Sequence, residues 1–391
     1  MFGNAAMQCT EKRFELWLPF TASAIGVAED DLPAVHNRPM KQVLERINRS
    51  SSTWECSTIY FTENRKPFTH DHNGLTTQFF PTSFRKRSHS KTFGRQWSFS
   101  AFQHLLLNPP DFVGFYGGSG HFTTTAAQVC RLRRIPYYVH FGGWPVPLGK
   151  QYQRMMHDAN FVITFTERQR LWMMREGIYI GGNMASWSMG VDTRTFQHCH
   201  KDRSQERKGP RLLYVGRITH NKGVLEAVQA LRAIRTEFPN AMLDIIGSLH
   251  DEPFIRKIQG YLEEHTLEDV VSLRGAVPYE ELPQWYAAAD LFIFPSPLES
   301  FGFVVVESMA CGTPVVALRG SGGPEEIITH RVDGILTDLP NLALEAIGLL
   351  SNPEHMKQMG DRAVEKINEK YTMEQTVAKL LSLLDKSLEA S

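Results

Sequence analysis

The stretch "LFIFPSPLESFGFVVVESMACGTPVVAL", residues 291–318, compresses a whole supersecondary unit into one line. Its opening "LFIFPS" is an apolar run that suits a strand buried on both faces, ended by Pro295 and Ser296. Gly302 then allows a tight turn, and from about Phe303 the chain reads as a helix. "PVVAL" (314–318) reads as the next buried strand. Two carboxylates punctuate the unit: Glu299 in the loop above the first strand and Glu307 in the early turns of the helix. They admit three readings: an acid/base pair, two grips on one ligand, or an accident of the helix. A fully helical interval would separate them by about 12 Å along the axis. Glycoside hydrolases hold their carboxyls about 5–5.5 Å apart when retaining and about 6.5–9.5 Å when inverting. A loop shortens the gap, so the spacing does not exclude a hydrolase pair, but two grips on separate hydroxyls of one extended ligand fit better. Alone, Glu299 is also a plain surface charge, and Glu307 a glutamate that complements the helix dipole.

Outward from this unit the same alternation continues. "RLLYVG" (211–216), "AMLDIIG" (241–247) and "VVSLRG" (270–275) read as strands. Helical spacing fits "KGVLEAVQALRAIRTEF", "PFIRKIQGYLEEH" and "ELPQWYAAA" between them. Strands and helices alternating in this way predict a doubly wound parallel sheet, whose ligands sit at the carboxyl ends of the strands. The first half is harder to read. "RFELWLPF", "TWECSTIYFTE" (53–63), "DFVGFYGG" (111–118), "IPYYVHFGG" (135–143) and "ANFVITFTE" (159–167) read as strands, with a helix at "FTTTAAQVCRLRR". They predict a second domain of similar type. The polar stretch 196–210 reads as the linker. The expected organisation is therefore an N-terminal domain over 1–195, a C-terminal domain over 196–370, and a last helix over 371–391. That helix carries an apolar face of Val377, Leu380, Leu381 and Leu384.

Lys plus Arg equals Asp plus Glu at 42 each over 391 residues, so no global field argues for nucleic acid. Cys9, Cys56, Cys130, Cys199 and Cys311 are scattered without ligand spacing, which reads as reduced thiols of a cytosolic protein. No apolar run is long enough to span a membrane and the N-terminus does not read as a signal peptide. A cytoplasmic protein is the expectation. The basic run around Arg85–Arg95 is either a solvated loop or a patch for an anionic acceptor or a membrane surface, which would put the protein at the inner face.

Other motifs carry chemistry. In "VGRITHNKG" (215–223) Arg217 follows a strand and Lys222 sits at the start of a helix, whose N-terminus attracts anions; together they make a clamp for a diphosphate, though each is also an ordinary surface cation. "SGGPEEII" (321–328) places Pro324 at a first helical position, with Glu325 and Glu326 behind it, a composition that capping alone explains.

Taken in order, "MGVDTRTF" (189–196), "VGRITHNKG", "IIGS" (245–248), the block 273–317, "GSGGPEEII" (320–328) and "DGIL" (333–336) resemble the retaining, nucleotide-sugar-dependent glycosyltransferases of the GT-B fold, in their family 4 group. That resemblance implies two Rossmann-like domains facing a central cleft. It also implies roles. Arg217 and Lys222 match the pair that neutralises the donor's diphosphate, Glu307 the carboxylate on the ribose hydroxyls, and Glu299 the one near the transferred sugar. Backbone N–H groups at Phe301, Gly302, Phe303 and Val304 would meet phosphate or sugar, and the chain around Arg274 the nucleobase. His140, ending "RRIPYYVHFGG", matches an active-site histidine, although a lone histidine after a strand also fits a structural role. The Gly-Gly loop usual after the first strand is absent as such; Gly26 in "LPFTASAIGVAEDD" is the one candidate for its diphosphate contact. No cofactor or metal is implied: the donor is a nucleotide sugar, UDP-linked on family frequency, and the acceptor bears a hydroxyl. An epimerase or hydrolase on the same fold, or a non-catalytic nucleotide-sugar-binding subunit, are the alternatives.

Overall fold

The structure is a computed structural model that describes residues 11–22, 29, 38–51, 53–83, 96–116, 120–143, 149–197, 209–249 and 251–389. The chain divides into two compact units. Unit 1 takes Met1–Thr164, Arg170–Trp187 and Thr376–Ser391; unit 2 takes Phe165–Gln169 and Ser188–Gln375.

Unit 1 is built on β1 (Lys12–Leu18), β2 (Trp54–Thr62), β3 (Phe68–His72), β4 (Leu75–Pro81), β5 (Phe112–Tyr116), β6 (Tyr137–Phe141), β7 (Phe161–Thr164) and β8 (Met184–Ser186). Their order in the sheet is β3-β4-β2-β1-β5-β6-β7-β8, and only the β3–β4 pair is antiparallel. That hairpin turns at Asn73 and Gly74 with φ of 53° and 80°, the mirror-image turn whose twist suits a two-residue connection. The core is aromatic: Phe122 stacks on Trp17 at 5.9 Å and meets Phe61 edge-on at 4.9 Å. One carboxylate lies inside it. Glu15 is 1% exposed yet satisfied, accepting from Trp17 Nε1 (3.1 Å) and Arg13 (3.1 Å) and lying 2.9 Å from His104 Nε2.

Unit 2 holds β9 (Arg211–Val215), β10 (Met242–Ile246), β11 (Val271–Gly275), β12 (Leu291–Phe294), β13 (Val315–Leu318) and β14 (Ile335–Thr337). All pairs are parallel, in the order β11-β10-β9-β12-β13-β14. Counted within the unit this is 3-2-1-4-5-6, the dinucleotide-binding order, and its direction reverses between β9 and β12. In sheets of this order ligands bind outside the carboxyl ends of the strands at that switch point. The opening stretch of the sequence is β12, a loop, the helix Phe303–Ala310 and β13, so it lies beside that switch point.

Candidate functional site

The loop after β9 carries Gly216, Arg217 and Lys222; the loop after β12 carries Ser296 and Glu299. Gly223 lets them approach. Its φ is 74°, and a Cβ there would stand 2.0 Å from the Pro295 carbonyl oxygen, so only glycine lets the helix Val224–Ile234 start this close to β12. Buried Tyr214 ties the turn down by donating to the Lys222 carbonyl at 3.0 Å. Lys222 Nζ then meets Glu299 Oε1 at 2.7 Å, and the Ser296 hydroxyl donates to the same oxygen at 2.6 Å. Glu299 is fixed through its backbone as well. Its N–H donates to Ser321 O (2.7 Å), and its carbonyl accepts from Gly323 N–H (2.9 Å). Arg217 projects into solvent and makes no ion pair among the described residues.

The helix Phe303–Ala310 begins at Gly302, whose φ of 97° suits glycine. Its first internal bonds run from the Val305 and Val306 N–H groups to Gly302 O, which leaves Phe303 and Val304 N–H at the open, positive end. Phe301 is buried and anchors the turn against Phe165, Phe303 and Tyr371. Glu307 lies one turn further in and is 4% exposed. Tyr286 donates to its Oε2 at 2.9 Å. Burial raises its carboxyl to about 7, while hydrogen bonds from Tyr286 and Tyr279 pull the other way.

Lys222, Glu299 and the Gly302 turn are thus gathered at the ends of β9 and β12. Arg274 is engaged elsewhere: its Nε donates to Asp244 Oδ1 at 2.8 Å and its guanidinium lies 5.5 Å from the Trp285 ring centre. In unit 1, His140 ends up fully buried in β6, edge-on to Tyr116 at 4.8 Å and 5.9 Å from Trp187. Burial pushes its imidazole down to about 3, so it is neutral at physiological pH. Gly26 and the basic run 85–95 lie outside the described residues, as do 198–208 of the expected linker. Among the described residues no His, Cys, Asp and Glu group could hold a metal ion, and no helix is long and apolar enough to cross a membrane. Sequence reasoning missed Ser296, Tyr286 and the 321–323 loop as supports of the two glutamates. "SGGPEEII" in particular was legible as a cap but not as the segment that pins Glu299.

The arrangement can receive an anion. One cation, Lys222, and two helix N-termini lie beside one carboxylate held for hydrogen bonding and a second buried one, with exposed Arg217 on the same loop as Lys222. The model of the glycosyl transferases group 1 family matches residues 197–366, which contain every one of these groups. Residues 197–366 belong to that family. The chain is 37% identical over 156 residues to a D-inositol 3-phosphate glycosyltransferase of Paenarthrobacter aurescens, covering 38% of each protein. It is 30% identical over 240 residues to a GDP-mannose-dependent alpha-(1-6)-phosphatidylinositol monomannoside mannosyltransferase of Mycolicibacterium smegmatis, covering 56% of this chain and 61% of that one. The matches therefore span between about four and six tenths of these relatives' length. Among solved structures, sucrose-phosphate synthase from Thermosynechococcus elongatus superposes with a TM-score of 0.78 at 19% identity, over 97% of this chain and 100% of that one. Anabaena HepE in complex with UDP and glucose gives 0.74 at 16% identity, over 96% and 100%. At such identities the likeness is one of fold, and the fold of two Rossmann-like domains, GT-B, is the one expected from the sequence.

Proposed function

We propose that this group 1 protein is a retaining glycosyltransferase that moves a hexose-type sugar from a UDP-linked donor to an acceptor hydroxyl. The observation that carries the reading is the Lys222–Glu299 pair at the β9/β12 switch point. A donor diphosphate takes Lys222 and Arg217 and leaves Glu299 to the sugar hydroxyls; buried Glu307 takes the ribose hydroxyls. Phe303 and Val304 N–H groups and the flanking Phe301–Gly302 turn face phosphate or sugar, and the main chain near Arg274 the base. In the reaction the bond from the anomeric carbon to the phosphate oxygen breaks, the electron pair leaving with UDP. The acceptor oxygen bonds to that carbon on the same face and passes its proton to the departing phosphate oxygen. Negative charge grows on the departing diphosphate, and fixed cations and helix N-termini stabilise that change without reorganising. Neutral His140 acts as a hydrogen-bonding residue rather than a proton carrier.

The relatives' own names speak for sugar transfer and, in one, for GDP-mannose; the HepE crystal holds UDP. The base is therefore the first thing to measure. Thermal unfolding is followed with UDP, GDP and ADP, for wild type and Lys222→Ala. A nucleotide at a hundredfold its dissociation constant adds about 2.7 kcal/mol. The reading expects that shift with UDP and its loss in Lys222→Ala. A shift with GDP alone replaces the donor, and no shift from a folded protein removes the transferase reading. UDP released from UDP-sugar without any acceptor would favour a hydrolase.

A further inference from the structure

A cavity of about 420 Å³ opens in unit 2 away from the switch point, between the amino-terminal half of β9 and the helix Leu282–Ala288. Arg211, Asp244, Glu281, Gln284, Trp285 and Ala288 line it. Its size falls in the range of about 300–1,000 Å³ typical of small-ligand sites. Strand register explains how it forms. Asp244 of β10 pairs with Leu213 of β9 and Ser272 of β11, so Asp244 stands in mid-sheet, where an apolar residue would normally pack under a helix. The short helix Leu282–Ala288 borders the opening and contributes Gln284 and Trp285 to its lining.

The lining has the chemistry of neutral-sugar recognition. Trp285 offers a flat apolar face for the C–H face of a pyranose ring. Asp244 and Glu281 accept from hydroxyls, Arg211 donates, and the Gln284 amide does both. Asp244 is 7% exposed and its outer neighbour Arg274 holds it at 2.8 Å, so its carboxylate is fixed before any ligand arrives. Arg274 also packs over the Trp285 ring, 5.5 Å from its centre, and so holds the indole in place. Two guanidinium groups, Arg211 in the lining and Arg274 beside it, balance the carboxylates of Asp244 and Glu281. That balance favours neither a diphosphate nor a cation, and it suits a ligand whose polarity lies in hydroxyl groups.

We propose that this cavity is a second carbohydrate site, separate from the site at the carboxyl ends of β9 and β12, which takes a neutral mono- or disaccharide unit stacked on Trp285. The inference does not rest on the transferase reading, because it concerns binding alone. The test is saturation-transfer NMR of the intact protein with methyl α-D-glucopyranoside, methyl α-D-mannopyranoside and maltose, each with and without saturating UDP. At least one should show saturable transfer that UDP leaves in place. Trp285→Ala should weaken it by about tenfold or more, whereas Trp285→Phe, which keeps an aromatic face, should change it by no more than about threefold. Gln284→Ala changes an exposed side chain and should weaken binding with an unaltered melting temperature, so it decides the matter should Trp285→Ala prove unstable. No saturable transfer from any of the three sugars overturns the proposal. So does transfer that UDP abolishes, or transfer that survives both Trp285→Ala and Gln284→Ala.

Discussion

Glu307 shows how a single residue can be held against its own preference. Its carboxyl is raised from 4.5 to about 7 because burial penalises the charge more than the two phenols relieve it. The unfolded chain releases this proton near the lower value and the folded chain keeps it until about 7. Stability therefore falls as pH rises through that window and is level above it. Glu307→Gln removes the titration, so its stability relative to wild type should improve from pH 5 to 7, by on the order of 2–3 kcal/mol. Urea midpoints at several pH values read this directly; a wild type that gains on the variant as pH rises would mean the carboxylate is satisfied, not strained. Lys222 sits in the opposite situation. Its pair with Glu299 is 15% exposed on both sides, and Ser296 still serves the carboxylate without it, so Lys222→Ala should cost about 1–3 kcal/mol of stability. A loss should appear as well in nucleotide protection, which the thermal shift separates from folding.

At the scale of elements, the site depends on how close two loops can come. Gly223→Ala places a methyl 2.0 Å from a backbone oxygen at a positive φ, and neither partner is a side chain that can swing away. We expect a loss of about 1–3 kcal/mol and nucleotide binding weakened with it, because Lys222 precedes the displaced residue. Gly348, inside the helix Leu342–Leu350, is the control: nothing lies within 4 Å of its added Cβ, so Gly348→Ala should stabilise by about 0.5–1 kcal/mol. Chemical denaturation of the two variants measures the contrast. The same scale explains what could be read beforehand. β9, β10, β12 and β13 are buried along almost their whole length, β9 and β10 are followed by glycine and β12 by proline, and β9 to β13 fell within two residues of their expected ends. The helix Arg38–Ser50 escaped because its inner face carries Arg38, Lys41 and Glu45 as well as Met40, Val43, Leu44 and Ile47. Arg38 pairs with Glu45, and Lys41 lies over the Tyr60 ring at 5.0 Å with its ammonium pushed down to about 7 by burial. Buried charges erase the apolar period from which helices are read. The β3–β4 hairpin escaped for a related reason: "FTHDH" is polar and largely exposed, and its Asn-Gly turn was the one signal available. In the site, the residue types announced Lys222 and Glu299, but Ser296 and Tyr286 meet their glutamates only through the turn and the neighbouring helix.

For the molecule as a whole, the last helix, Met373–Glu389, is where the division into units can be tested. Its residues cluster with unit 2 up to Gln375 and with unit 1 from Thr376 onward. Inside unit 1, Leu380 and Leu384 are fully buried, Trp187 Nε1 donates to Thr376 O at 3.1 Å, and Trp54 Nε1 donates to Asp385 Oδ1 at 3.0 Å. Tryptophan is also unevenly placed: Trp285 is the one of the chain's seven that falls in the ranges of unit 2. Fluorescence therefore reports mainly on unit 1, while a nucleotide shift reports on the site in unit 2. Leu380→Ala leaves a cavity that should cost about 2–5 kcal/mol. The expected result is a fluorescence transition moved to lower temperature, with nucleotide affinity at room temperature unchanged. Should Leu380→Ala weaken nucleotide binding as much as it lowers the fluorescence transition, the terminal helix would be acting on the site and not only on the core of unit 1.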